Sequence, residues 1–171
     1  MKTSDAIFDI LKRYTDTIFF VPGGQAAHLV DSLGRSGLKR VSVLHEQGAG
    51  FMACGYAQQS GKLGVCLVTS GPGATNAITP CWAAWVDSIP VLFISGQANS
   101  WTLIGDSGLR SRGVQEVDII SLVKPITKWA HRLTSDHIPS KWMISLIKCA
   151  FQNRPGPCWL DIPLDTQAEE I

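Results

Sequence analysis

Gly64-Val65-Cys66-Leu67-Val68-Thr69-Ser70-Gly71-Pro72-Gly73-Ala74-Thr75-Asn76 reads as a strand that stops in a turn and hands over to a helix. Residues 64–69 form an apolar run without polar alternation, the pattern of a strand covered on both faces. Gly71-Pro72-Gly73 breaks that run, since proline cannot continue a ladder and glycine admits a sharp turn. Working outward, comparable runs occupy residues 17–21, 41–44, 91–95, 127–132 and 158–162. Helical periodicity fills most of the gaps. From about Ser4, one stripe holds Ala6, Ile7, Ile10, Leu11 and Tyr14; a second holds Ala49, Met52, Ala53, Tyr56 and Ala57; a third, capped near Ser140, holds Met143, Leu146, Ile147, Ala150 and Phe151. Alternation of this kind specifies an α/β fold: a doubly wound, mainly parallel six-stranded sheet with helices on both faces.

Composition bounds what such a fold can be. The 171 residues suit a single domain spanning 1–171, and a chain of this length buries about 70% of its unfolded surface without staples. A hydrophobic content of 45% with 17% charged residues excludes a disordered chain. Lys and Arg number 15 against 14 Asp and Glu, and a net charge of +1 gives no electrostatic footprint for nucleic acid. The apolar runs are too short to cross a membrane. The opening Met1-Lys2-Thr3-Ser4-Asp5 has no signal-peptide stretch, which implies a cytoplasmic protein. Five cysteines (Cys54, Cys66, Cys81, Cys149, Cys158) form no C-x-x-C pair, and an odd count argues against a disulfide framework or a zinc site. The four histidines, His28, His45, His131 and His137, lack metal-ligand spacing, so no metal is expected on this chain.

In open parallel sheets, ligands gather outside the carboxyl ends of the strands. Four unusual turns fall there: Val21-Pro22-Gly23-Gly24, His45-Glu46-Gln47-Gly48, Thr69 to Asn76, and Ser95-Gly96-Gln97. Gly71-Pro72-Gly73 resembles an anion cradle, but Asn76 stands where a G-x-G-x-x-G motif would end, and there is no P-loop lysine. A tight turn that brings backbone close to a flat group fits better. Glu46 sits where an apolar strand meets a helix whose first turns carry Gly48, Ala49, Gly50 and Ala53. Small residues there admit a neighbour and would enclose the carboxyl; enclosure raises a carboxyl pKa, whereas a helix N-terminus lowers it. A carboxyl held near neutrality can share a proton with a ligand nitrogen. The alternative is a first-turn carboxylate stabilised by the helix dipole, which spacing alone favours. His45 is expected to fix the turn or to pack rather than act in chemistry, and residues 99–117, rich in Gly, Ser and Arg, are expected to form a mobile loop.

Taken in order, the turns above, Asp87-Ser88-Ile89-Pro90, Val114-Gln115-Glu116-Val117-Asp118, Pro125-Ile126-Thr127-Lys128, Arg154-Pro155-Gly156-Pro157 and Leu160-Asp161-Ile162-Pro163 resemble the N-terminal, pyrimidine-binding domain of thiamine-diphosphate enzymes. The likeness is greatest to the large catalytic subunits of acetolactate synthase and covers nearly the whole chain. It implies that Glu46 hydrogen-bonds N1′ of the aminopyrimidine and promotes deprotonation of the thiazolium carbon, which attacks a 2-keto acid such as pyruvate. Carbon dioxide leaves, and the remaining fragment adds to a second keto acid. Thr69, Gly71, Pro72, Gly73 and Asn76 would line the pyrimidine; Pro22 and Gly23 would stand near the substrate. Gln115 would point at the reacting centre, although its surroundings alone suggest a solvated loop amide.

The resemblance further implies that diphosphate and Mg2+ are held by a separate C-terminal domain through a Gly-Asp-Gly…Asn-Asn signature. Here Gly105-Asp106-Ser107 lacks the Asn pair and reads as a loop. A middle domain, the flavin (FAD) carrier in acetolactate synthases, is absent as well. The chain is therefore expected to be an excised domain or a small natural subunit. It would work as a homodimer or higher assembly, or with a separate diphosphate-domain chain, through the helix after Glu46 and the Trp82, Trp85 and Val86 face. Val21 replaces the Tyr usual before Pro-Gly-Gly, Val114 replaces the Phe usual before Gln-Glu, and Leu109-Arg110-Ser111-Arg112 extends the loop. These changes bear on which keto acid is used. The alternatives are another thiamine-diphosphate 2-keto-acid decarboxylase, or a non-catalytic α/β binding domain that has no need of a carboxyl at position 46.

Overall fold

The computed structural model describes residues 1–135 and 139–171; His137 lies outside them. The elements in chain order are α1 (Thr3–Leu11), β1 (Thr17–Phe20), α2 (Ala27–Arg35), β2 (Lys39–Ser42), α3 (Glu46–Ser60), β3 (Gly64–Val68), α4 (Pro72–Asn76), α5 (Ile78–Val86), β4 (Val91–Gln97), α6 (Ile119–Val123), β5 (Trp129–Arg132), α7 (Pro139–Phe151), β6 (Cys158–Pro163) and α8 (Leu164–Ala168). Among the described residues the sheet has six strands in the order β2-β1-β3-β4-β6-β5. All its ladders are parallel.

Side chains alternating along the inner strands feed two cores, one on each face of the sheet. Val65, Leu67, Leu92, Ile94 and Leu160 pack with α1, α2 and α7. Cys66, Val68, Val91, Phe93 and Trp159 pack with α3, α5 and α6 on the other face. Every residue of β3, β4 and β6 is buried, as their unbroken apolar runs require. The expected doubly wound architecture is the one observed.

Three local expectations are corrected. The second strand runs Lys39–Ser42 rather than 41–44, because Thr17 to Phe20 of β1 pair with Lys39 to Ser42. It is an edge strand, so apolar content does not mark it, and Leu44 beyond its end is fully exposed. In α3 the buried stripe is Ala49, Gly50, Ala53, Cys54 and Ala57, while Met52 faces solvent. In α7 (Pro139–Phe151), Phe151 at the end is exposed rather than part of the buried stripe.

The parallel sheet places all strand ends carrying the unusual turns on one edge. The chain leaves β1 for β2 on one side and returns to β3 on the other. The crevice of a doubly wound sheet lies at such a reversal, between the ends of β1 and β3.

Candidate functional site

The turns after β1 and β3 meet at that crevice. Gly23 lies so close to Thr69 that a Cβ there would stand 2.5 Å from the threonine Cβ, and Gly73 presses on the same side chain, 2.7 Å from its Cγ2. The Thr69 hydroxyl accepts the Gln25 backbone N–H at 3.2 Å. Gly71 caps α4 with φ 59°, a conformation that favours glycine, and Pro72 takes the first helical position, where its missing N–H costs nothing. A side chain at Gly71 would also meet the Gln115 carbonyl at 2.5 Å.

Glu46 opens α3. His45 caps the helix, its Nδ1 accepting the Gln47 N–H at 3.1 Å, which is the turn-fixing part expected of it. Asn76, at the end of α4, donates through Nδ2 to Glu46 Oε2 at 2.9 Å. The other carboxylate oxygen faces the Gly73 turn, 3.5 Å from where a Cβ would stand. The carboxyl is half-buried rather than enclosed. The small residues after it serve packing instead: a Cβ on Gly50 would stand 2.3 Å from Pro80 Cγ, so they let α5 close on α3.

The structure thus brings Gly23, Thr69, Gly73, Glu46 and Asn76 into one contiguous surface, with Gly71 touching Gln115. Pro22 and Pro72 lie at its rim, exposed, and the Gln115 side chain is exposed on a residue with φ 55°. Residues 99–117 are irregular apart from a 3-10 turn at Ser100–Thr102, and their end is tied to the sheet: Gln97 Nε2 donates to the Val117 carbonyl at 2.7 Å and to Asp161 at 3.1 Å. Asp161 is fully buried, bonded to Ser95 at 2.7 Å and ion-paired with Arg132 at 2.8 Å. Burial pushes its carboxyl pKa up, against the pull of Arg132, Ser95 and Gln97.

Two participants escaped the sequence reading. Gln25 sends Nε2 to the Val114 carbonyl at 3.3 Å, bridging the two loops, while its Oε1 is buried without a hydrogen-bond partner. The Ser70 hydroxyl, between Thr69 and Gly71, is likewise buried and unpartnered. Orphaned polar atoms are uncommon in folded proteins, and these two belong to the turns after β1 and β3 that meet at the crevice. A polar residue just after a strand's terminal Pro-Gly-Gly was the available signal for Gln25. The larger hollows lie elsewhere. One of about 410 Å³, lined by Trp85, Lys128 and Arg154 among others, sits beside the starts of β4, β5 and β6.

The open parallel sheet thus carries a carboxylate and a backbone-lined turn at its reversal point, the place where sheets of this kind bind ligands. The chain belongs to the family described as thiamine pyrophosphate enzyme, N-terminal TPP binding domain, which matches residues 1–122. It is similar to the acetolactate synthase large subunit of Corynebacterium glutamicum, 41% identical over 157 residues, which are 91% of this chain and 24% of that protein. The acetolactate synthase isozyme 2 large subunit of Escherichia coli is 41% identical over 152 residues, 89% of this chain and 27% of that protein. The mitochondrial acetolactate synthase catalytic subunit of Saccharomyces cerevisiae is 38% identical over 159 residues, 92% of this chain and 22% of that protein. The chain spans about a quarter of the length of these relatives.

Proposed function

We propose that residues 1–171 form the pyrimidine-binding half-site of a cytoplasmic thiamine-diphosphate enzyme that decarboxylates a 2-keto acid and joins the fragment to a second one, as acetolactate synthases do. The observation that carries this reading is the Glu46 carboxylate, steered by Asn76 and facing a turn built so tightly from Gly23, Thr69 and Gly73 that no side chain intervenes. That donor set fits an aminopyrimidine: a carboxylate for a ring nitrogen, a backbone-lined wall for a flat ring, and buried polar atoms still lacking partners. When bound, thiamine diphosphate supplies the carbon nucleophile. Glu46 would hold a proton at the ring nitrogen, Asn76 would fix the carboxylate's orientation, and the Gly71–Gly73 backbone would keep the ring flat. Gln115, with Pro22 and Gly23, would face the keto acid.

Among the described residues no group of three or more His, Cys, Asp or Glu gathers to hold a metal. Those residues offer no set that fits Mg2+, and the Gly105-Asp106-Ser107 turn lies in an exposed loop. In the proposed assembly Mg2+ and the diphosphate belong to a separate diphosphate-binding domain, and FAD to a middle domain. Phe51 and Met52 on α3 and Trp82, Trp85 and Val86 on α5 form an exposed apolar face that would meet a second copy or that domain.

Glu46→Gln keeps the shape and removes the shared proton. In the assembled enzyme, turnover of pyruvate or another 2-keto acid should fall by on the order of 10²-fold or more, with a smaller change in cofactor affinity, because the diphosphate is held elsewhere. Turnover within a few-fold of the parent overturns the role of Glu46.

A further inference from the structure

We infer that Glu116 is a positioning residue: its carboxylate shapes the turn at residues 113–117 and so fixes Gln115 against the Gly71 turn. One carboxylate collects three backbone donors, Ile104 N–H at 2.6 Å on Oε1, and Arg112 and Gly113 N–H at 3.0 and 3.1 Å on Oε2. These donors come from both sides of the exposed excursion at residues 105–111, so one charged group ties its start and end together. Hydrogen bonds to an ionised acceptor are the strong kind. Burial pushes the Glu116 pKa up, but the three amides, helped by Arg132, outweigh it, and the pKa ends below its ordinary value.

The neighbourhood leaves the turn little freedom. Gly113 sits where a Cβ would be 2.6 Å from Ala98 Cβ and 2.9 Å from Thr102 Oγ1. Its carbonyl accepts the Glu116 N–H at 3.2 Å, closing the turn that contains Gln115. Gln25 holds the Val114 carbonyl and Gln97 the Val117 carbonyl, so both flanks of Gln115 are anchored to the sheet edge. Within that frame Gln115 takes φ 55°, a strained value for a residue with a side chain, and its carbonyl lies against Gly71. Without the Glu116 hub, the excursion at residues 105–111 would lose the tie between its two ends, and only the Gln25 and Gln97 anchors would remain to hold that strained residue.

The inference rests on the proposed role of Gln115, and its test has two arms so that the two can fail separately. Glu116→Gln keeps the volume but turns one acceptor into a donor facing the Arg112 and Gly113 amides. Trypsin cleavage after the exposed Arg110 and Arg112 of the folded protein should then accelerate on the order of tenfold, while cleavage at Lys39 and Arg40 stays unchanged. Unchanged cleavage everywhere overturns the hub, as does uniform acceleration at all sites, which reports only global loosening. In the assembled enzyme, Glu116→Gln and Gln115→Ala should each lower kcat/KM on the order of tenfold. The double variant should be no worse than Gln115→Ala alone to within about twofold, because the first substitution acts through the second residue. Additive losses overturn the positioning role. An assembled parent protein that turns over no 2-keto acid defeats the functional reading, and the cleavage pattern still decides whether Glu116 holds the turn.

Discussion

Asp16 is exposed yet collects three side-chain donors. Its carboxylate accepts from Lys62 at 2.6 Å, from Thr17 at 2.7 Å and from Tyr56 at 2.8 Å, and these donors, Lys62 foremost, hold its pKa far below the ordinary 3.8. Asp5 is held down in the same sense, chiefly by Ser32, then by the Lys2 amide and Arg35. A carboxyl with a depressed folded-state pKa binds fewer protons folded than unfolded, so its stabilisation is complete above the unfolded value and is lost as pH falls through the folded one. The urea midpoint should therefore drop between pH 5 and pH 2. Asp16→Asn should start lower at pH 7 and fall less, and 0.5 M salt should narrow the difference because the pair is surface-exposed. An equal fall in parent and variant would remove Asp16 from that account. Such partnerships join residues up to 46 apart in sequence and leave no mark on periodicity. The same holds at the crevice: the strand-to-helix junction singled out Glu46, although spacing alone favoured an ordinary first-turn carboxylate, whereas the surroundings of Gln25, Ser70 and Glu116 exist only once separate loops meet.

Elements were most legible where both faces are covered. β3, β4 and β6 announce themselves as unbroken apolar runs because each residue must satisfy one of two cores. The edge strand β2 has no such duty: of its four residues only Val41 is partly buried, so the apolar window slid two residues along the chain. Met52 and Phe151 misled for a related reason, since exposed apolar side chains extend a helical stripe without joining the core. One tight joint between elements is where α3 crosses β3. A Cβ added at Gly64 would stand 2.3 Å from the Ala53 carbonyl oxygen and 3.2 Å from Val91 Cγ2, and a backbone atom cannot rotate away. Gly64→Ala should force α3 off the sheet and cost about 2 kcal/mol, a fall in melting temperature of roughly 4–8 °C for a chain this size. Gly48→Ala, which meets nothing within 4 Å, is the control and should melt with or slightly above the parent, since alanine favours the helix. Equal melting of both variants would mean that the joint has slack.

For the molecule as a whole, the division of labour proposed above fixes what the chain does alone. The apolar face of Phe51, Met52, Trp82, Trp85 and Val86 should drive self-association, and a clean monomer at micromolar concentration in sedimentation would contradict that use of the surface. Binding tests the division more sharply. The crevice offers thiamine diphosphate one carboxylate, one amide, a few backbone groups and a wall for a flat ring. The basic side chains of the nearby loop, Arg110 and Arg112, stand exposed, and among the described residues no ion pair holds either of them in place for a phosphate. Charge-assisted contacts to the diphosphate and its metal dominate the affinity for such a ligand. A single ring with a few hydrogen bonds supplies about 4–5 kcal/mol, or roughly millimolar affinity. Calorimetric titration of the chain with thiamine diphosphate and Mg2+ should therefore give heats too weak for a micromolar fit. Adding a complementary diphosphate-binding domain should bring the dissociation constant down by on the order of 10²-fold or more, as linked half-sites do when both engage one ligand. Micromolar binding by the chain alone would reveal a phosphate or metal site on this surface and undo the half-site reading.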